Sequence, residues 1–351
     1  MNPLEKQLNY AFGDTLPEQG GKIEVVPGIY WVRLPLPFVL DHINVWLLRD
    51  TLAGRDGWTL VDTGAGLRAS HEIWERIFAN ELDGLPIVRV ICTHYHPDHF
   101  GNADWISSRF GCKVWMSQAD YLTGRLMFLG QLGTDTGFYE SYFRANGIND
   151  EATLIELRMR RANFLNTVPS VPPCYHAIAG GQHLTIGKQR WRLIDGYGHA
   201  PEHMALYAED ACILISGDML LPRISTNVSV TATEPEGNPL QQFLDSIAKF
   251  LPLPADTLVL PAHGKPFTSI AVRVRQLQDH HRDRLAEVRE MCRAQPTSAR
   301  DVVPVMFKRK LDGNQLFIAV GEALAHLHLL WHAGELVCET DGDGVRRFRP
   351  V

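Results

Sequence analysis

The run Thr93-His94-Tyr95-His96-Pro97-Asp98-His99 places three imidazoles and a carboxylate within six consecutive residues, directly after an apolar segment. Neutral imidazole nitrogen combined with carboxylate oxygen suits borderline-soft divalent ions such as zinc, whereas calcium and magnesium favour mostly oxygen ligands. The spacing points to a divalent-metal site, and to two ions rather than one. Residues 84–92, Gly-Leu-Pro-Ile-Val-Arg-Val-Ile-Cys, read as a buried strand rich in β-branched side chains, so the histidine run falls on the loop at its carboxyl end. Loops carried on a rigid sheet edge are where catalytic groups collect. Pro97 keeps the run from continuing as a strand or settling into a helix interior. Beyond Gly101, residues 102–110 read as a helix.

The same arrangement recurs along the chain. Residues 58–61 lead into Asp62-Thr63-Gly64, residues 191–194 lead through Asp195 and Tyr197 to Gly198-His199, residues 211–215 lead into Ser216-Gly217-Asp218, and residues 257–260 lead into Pro261-Ala262-His263-Gly264. Five strand ends thus deliver an aspartate or a histidine each. Periodicity and composition alone support an α/β domain with several buried strands. The 351 residues exceed one average domain, and 45% hydrophobic residues are ample for a large core. A formal net charge of −6 gives no global attraction to nucleic acid or to an anionic membrane. No stretch is long and apolar enough to span a bilayer, and residues 1–6 lack the apolar core of a secretion signal, so the expected location is cytoplasmic. Six cysteines (Cys92, Cys112, Cys174, Cys212, Cys292 and Cys338) lie without metal-type or disulfide-scaffold spacing and read as reduced thiols.

Together, Asp62, the His94/His96/Asp98/His99 run, His199, Asp218 and His263 resemble, in kind and in order, the motif set of the metallo-β-lactamase superfamily. The resemblance spans residues 28–266 and implies an αββα four-layer sandwich, two mixed sheets flanked by helices, with metals along one sheet edge. It implies that His94, His96 and His199 hold one metal, that Asp98, His99 and His263 hold the other, and that Asp218 bridges them. Asp62 would orient a ligand histidine from behind, the usual task of a carboxylate beside an imidazole, or close an Asx turn before Gly64. The expected cofactors are two divalent ions, zinc first, with iron or manganese as alternatives. Paired ions lower the pKa of a shared water toward neutrality, so the expected reaction is hydrolysis by a bridging hydroxide, with Asp98 and Asp218 as the catalytic carboxylates. His203, four residues beyond His199, reads either as a proton carrier or as a supporting residue that caps the local turn.

In the superfamily the loop after the first strand overhangs the metals, which makes Phe38, His42 and Asn44 candidates for touching substrate. His42 reads equally as a surface histidine or a local hydrogen-bonding partner. Arg223 and Asn227 lie a few residues beyond Asp218 and are candidates for a substrate carboxylate or phosphate, with a structural ion pair as the other reading of Arg223. Class B β-lactamases commonly carry cysteine where this chain has Asp218, which disfavours that activity. The paired-metal pattern is similar to that of the glyoxalase II group, which cleaves thioesters, and to those of the lactone hydrolases and tRNA-processing endonucleases. The basic carboxy-terminal motif with which glyoxalase II enzymes bind glutathione is not found. The expected substrate is a small ester, thioester or lactone. The alternatives are endoribonuclease or phosphodiesterase chemistry on the same metals, and a mononuclear iron dioxygenase of the persulfide-dioxygenase type, which the retention of His96, His263 and the full second ligand set disfavours.

Residues 1–272 are assigned to the catalytic domain. They include a helical insertion over about 121–179, where aromatic and aliphatic residues at spacings of three and four suggest either a lid or packing against the domain itself. Residues 273–351 form a second domain with helices expected over 273–291, 299–307 and 315–332, the last ended by Gly334, and a hairpin over 336–348. That order resembles a winged-helix module, similar to the tail of the lactamase-β-2-like branch. Residues 308–310 and 346–349 are basic clusters, but the third helix carries Glu322, His326 and His328 and no Lys or Arg. From Arg282 onward eleven Lys or Arg face ten Asp or Glu. A DNA-binding face is usually clearly basic, so nucleic acid is disfavoured as a partner. The module is expected to pack or to dimerise with a second copy of the chain, with a small molecule as substrate and no membrane partner.

Overall fold

The computed structural model describes residues 4–38, 40–132, 136–158, 160–309, 311 and 313–351; Lys310 of the basic cluster lies outside the described residues. One sheet holds β1 (Ile23–Val26), β2 (Ile29–Pro35), β3 (His42–Leu52), β4 (Arg55–Val61), β5 (Ile87–Ile91), β6 (Lys113–Met116) and β7 (His176–Ala177), side by side in that order. It is antiparallel from β1 to β4 and parallel from β4 to β7. The second sheet holds β8 (His183–Ile186), β9 (Gln189–Gly196), β10 (His203–Ala208), β11 (Ile213–Gly217) and β12 (Leu258–Pro261). Its pairs are antiparallel apart from β11 and β12. Both sheets are mixed.

Between the sheets, Trp31, Trp46, Val61 and Ile91 meet Trp191, Leu193, Leu206 and Ile215. Helices α1 (Arg68–Asn80), α2 (Pro97–Phe100) and α3 (Ala103–Phe110) cover the outer face of the first sheet, with Trp74, Ile77, Phe100 and Ile106 packed on Val45, Leu60 and Val90. The insertion between β6 and β7 is helical, as its spacing suggested, and consists of α4 (Gln118–Leu129), α5 (Thr136–Ala145), α6 (Glu151–Arg158) and α7 (Arg160–Thr167). On the outer face of the second sheet, Leu240, Phe243 and Ile247 of α8 (Pro239–Ala248) and Val274 and Leu277 of α9 (Ile270–Ala294) pack on Ala205, Leu214 and Val259. These layers make the αββα four-layer sandwich.

The carboxy-terminal elements follow the expected order. After α9 come α10 (Ala299–Met306), opened by a capping box between Ser298 and Asp301, then α11 (Gly313–His332) and the antiparallel hairpin β13 (Leu336–Thr340) and β14 (Arg346–Pro350). Val302, Val303, Leu324, Leu327 and Phe348 belong to the same apolar cluster as the outer face of the second sheet, so the tail shares a core with the sandwich. One local reading changes. The histidine run leaves its loop at Pro97 and enters the four-residue helix α2, with proline at the first helical position. There the missing N–H has no intrahelical partner to lose and the fixed φ suits the turn. Among the described residues no helix is long and apolar enough to cross a membrane.

At the end of the sandwich away from the histidine run, Arg89 of β5 pairs with Asp50 of β3, both essentially buried. The Arg89 guanidinium also donates to Thr185 O at 2.9 Å, and Asp50 accepts from Thr59 Oγ1 at 2.6 Å and from Gly187 N–H at 2.8 Å. The pair therefore ties the first sheet to the β8–β9 turn of the second. Removing one partner of such a pair strands a buried charge. Arg89→Ala is expected to lower unfolding free energy by about 3–5 kcal/mol, read as a shifted urea midpoint.

Candidate metal centre

Every side chain at the centre comes from the carboxyl end of a strand or the turn that follows it. β4 delivers Asp62, β5 delivers Thr93 and the histidine run, β9 leads to His199, β11 to Asp218 and β12 to His263. Three nitrogens converge on one side: His94 Nε2 lies 2.9 Å from His96 Nδ1 and 3.2 Å from His199 Nε2. On the other side Asp98 Oδ2 lies 3.7 Å from His99 Nε2 and 3.3 Å from His263 Nε2. Asp218 stands between them. Its Oδ2 is 3.3 Å from His199 Nε2, while its Oδ1 is 3.5 Å from His99 Nε2 and 3.3 Å from His263 Nε2. All seven residues read from the sequence as candidate ligands are thus brought together, in trios whose donor atoms lie within 4.8 Å of one another.

The hydrogen bonds behind the imidazoles determine which nitrogen faces inward. Asp62 has a left-handed backbone, φ 61°, uncommon for a residue with a Cβ. It accepts from the Thr93 N–H at 2.8 Å and the Thr93 hydroxyl at 3.0 Å, and lies 2.8 Å from His99 Nδ1. A carboxylate only accepts, so His99 carries its proton on Nδ1. The Thr93 hydroxyl spends its hydrogen on Asp62, which leaves its oxygen to accept from His94 Nδ1 at 3.0 Å. His199 Nδ1 donates to the Asn227 carbonyl and His263 Nδ1 to the His42 carbonyl, each at 2.7 Å. Four imidazoles therefore turn Nε2 toward the centre, where it can bind an ion once it carries no proton.

That arrangement fits metal ions. Bare nitrogens of His94 and His199 facing one another at 3.2 Å repel unless a cation lies between them. Metal–nitrogen bonds of about 2.0–2.1 Å at tetrahedral angles set neighbouring nitrogens about 3.3 Å apart. His99 Nε2 is buried with no hydrogen bond of acceptable geometry, a vacancy in bonding that a ligated ion explains.

The charge state differs between the two sides. Burial, reinforced by neighbouring imidazoles, pushes His94 well down and His96 down to about 3. Burial also opposes charge on His99 and His263, but the carboxylates outweigh it. Asp62, Asp98 and Asp218 push His99 well up, and Asp218 and Asp98 push His263 up to about 10. Without an ion, the second side therefore holds protons at neutral pH.

The remaining candidates occupy supporting places. His203 is buried and its Nε2 accepts the Asp218 N–H at 3.2 Å. Gly217, at φ +50°, makes room for this ring, because a Cβ there would collide with His203 Nε2. His42 presents its Nε2 to the Gly264 N–H at 2.8 Å, and burial lowers it to about 4. Asn227 serves His199 through its backbone carbonyl, while its side chain accepts from Ser229 Oγ at 3.0 Å. Arg223 is held by Glu5 at 3.2 Å. Phe38 is exposed. Asn44, read as a candidate for touching substrate, is corrected: it is fully buried, accepts from Trp31 Nε1 at 2.8 Å, and donates to Pro261 O and Gly264 O at 2.9 Å.

Two contributors escaped the sequence reading. Thr93 relays Asp62 to His94. Asp120, buried in the first turn of α4, accepts from the N–H of Tyr95 at 2.9 Å and of Glu202 at 2.6 Å, and so joins the His94–His96 segment to the turn after His199. Burial pushes Asp120 up to about 6 despite these donors. Its only sequence signal is the Ser117-x-x-Asp120 pattern of a helix start, in which Ser117 Oγ accepts the Asp120 N–H.

A two-sheet sandwich with paired His/Asp groups at its strand ends defines a metal-dependent hydrolase fold. Residues 39–263 match the Metallo-beta-lactamase superfamily and residues 285–351 match the metallo-beta-lactamase-like C-terminal domain, and the chain belongs to that superfamily. It is similar over its whole length to the crystal structure of a beta-lactamase domain protein from Burkholderia ambifaria, at 49% identity, TM-score 0.94 and full coverage of both chains. It is 25% identical to a probable metallo-hydrolase, YqjP, of Bacillus subtilis, over 85% of this chain and 91% of that one. A hydroxyacylglutathione hydrolase of Rhodobacter capsulatus is 22% identical over 65% of this chain and 64% of its own. The protein is accordingly a metallo-hydrolase of this superfamily.

Replacing Asp62 should loosen His99 directly and His94 through Thr93. Asp62→Ala is expected to weaken metal binding by about 10- to 100-fold in chelator competition. Because His263 is protonated below about 10 in the free protein, ligation must expel protons and affinity should rise with pH through the neutral range. Titration calorimetry in buffers of different ionisation enthalpy should show proton release; heats independent of buffer would contradict it.

Proposed function

We propose that the protein is a dinuclear zinc hydrolase acting on a small ester, thioester or lactone. The observation that carries this reading is Asp218, which turns one oxygen to each histidine group at 3.3–3.5 Å and so supports a pair of ions over a single one. When bound, two zinc ions would supply a water acidified toward neutrality and a Lewis acid for a carbonyl oxygen. The chain's own part is to hold that chemistry in place. Asp62 and Thr93 orient His94 and His99, the carbonyls of Asn227 and His42 orient His199 and His263, and His203 steadies the Asp218 backbone. Asp98, with 19% of its side chain exposed against 11% for Asp218 and 2% for Asp62, is the carboxylate best placed to exchange a proton with solvent. The hydroxyacylglutathione hydrolase among the relatives supports including thioesters in the substrate class.

The tail supports this reading over one in which it guides RNA. Arg282, Arg289, Arg293, Arg347 and Arg349 pair with acids, and Arg346 donates to the Pro235 carbonyl. Among the described residues of the tail, few cations are left without such a partner to neutralise phosphates. The helix order and terminal hairpin fit a winged helix used for packing, and six free cysteines fit a cytoplasmic location.

Purified protein is expected to hold about two zinc ions per chain and to cleave members of a chromogenic ester, thioester and lactone panel in preference to phosphodiesters or RNA. Asp218→Ala should lose more than about 100-fold in that activity, since removing a direct ligand exceeds the loss of an outer partner. One iron per chain with oxygen consumption, or activity that survives Asp218→Ala, overturns the reading.

A further inference from the structure

The segment 219–238, between β11 and α8, runs past the metal centre. Near its start, Thr226 Oγ1 donates to the Asp218 carbonyl at 2.5 Å, and the Asn227 carbonyl accepts from His199 Nδ1 at 2.7 Å. Its later part is gripped from outside the sandwich. The Val230 N–H donates to the Gly321 carbonyl of α11 at 3.1 Å, and the Val230 carbonyl accepts from Tyr142 of α5 at 3.1 Å. Further on, Pro235 O accepts from Arg346 at 3.0 Å, Glu236 O from His332 Nε2 at 2.8 Å, and Gly237 O from His328 Nδ1 at 2.8 Å. Three successive carbonyls are thus capped by residues of α11 and β14. The close approach at Val230 requires glycine: a Cβ on residue 321 would lie 2.6 Å from Ser229 Cβ and 2.7 Å from its Oγ.

We propose that the carboxy-terminal domain is a positioning element of the metal centre, acting through this strap. By holding residues 229–237, it sets where the Asn227 carbonyl lies and so which way the His199 ring faces. Gly321, His332 and Arg346 are positioning residues in this scheme, and the inference rests on the reading of His199 as a metal ligand. The effect reaches the centre through a backbone carbonyl, whose displacement tilts an imidazole instead of removing it. Loss of such outer partners typically weakens metal binding by about 10- to 100-fold.

The test compares Gly321→Val, and Arg346→Ala combined with His332→Ala, with wild type and His199→Ala. Zinc affinity is read by chelator competition and ligand geometry by the visible spectrum of cobalt(II)-loaded protein, with far-ultraviolet circular dichroism as the check on folding. Both strap variants are expected to fold, to bind one ion about tenfold more weakly, and to shift the cobalt spectrum, with Gly321→Ala falling between. His332 is exposed and Arg346 half-buried, so the double variant decides on the same readouts if Gly321→Val does not fold. Strap variants that bind like wild type while His199→Ala does not overturn the inference alone. A His199→Ala protein that binds like wild type overturns the assignment of His199 and the inference with it.

Discussion

One carboxylate, Asp62, carries more of the centre than any metal-facing group. It reaches His99 directly and His94 through the Thr93 hydroxyl, so one imidazole of each metal group takes its tautomer from the same acid. To do this Asp62 adopts a backbone conformation that few residues with side chains accept, a strain of roughly 1–3 kcal/mol that the surrounding sheet must hold in place. The sheet does so by pairing β4 with β5 in parallel, which brings the end of one strand beside the start of the histidine run. The other supports, the carbonyls of Asn227 on a loop and of His42 at the start of β3, lack this shared origin.

The charge distribution follows from the same crowding. Three acids and five histidines packed out of water cannot all keep their ordinary protonation. His99 and His263, beside Asp98 and Asp218, retain protons, whereas His94 and His96 lose them. An ion entering the first group meets neutral nitrogen on His94 and His96, and one entering the second must displace protons from His99 and His263. The two halves of the centre are therefore unequal before any ligand arrives, although similar residue types line both.

The seven convergent side chains were legible because each candidate ligand is a histidine or aspartate at the end of an apolar strand, and such residues announce themselves by type and by place; the sandwich was legible through the resemblance of that set to a known family, since periodicity alone reached an α/β domain. The supports were less legible for a physical reason. Asn227 and His42 hold their imidazoles through main-chain carbonyls, which every residue possesses, so side-chain identity gave no sign of this role. Asn44 was misplaced because a polar residue on a strand beside the mouth of a site looks available, while here Trp31 and two carbonyls take its amide. Asp120 lies at the edge of the segment that reads as an insertion, and its ties to Tyr95 and Glu202 depend on tertiary contact across 25 and 82 residues. The short helix at Pro97 followed a rule visible in the sequence, proline at a helix start, that the loop reading passed over.

The long helix α9 has an implication for how the molecule holds together. The two segments matched by family, 39–263 and 285–351, meet within or beside it, and its apolar face belongs to a cluster that extends from Leu214 and Val259 to Leu327 and Phe348. Cutting the chain between the matched segments would expose Val274, Leu277 and the outer face of the second sheet to water. The boundary that family resemblance draws along the chain is thus not a boundary of cooperativity: the stretch that carries the chemistry is smaller than the unit that must melt as one.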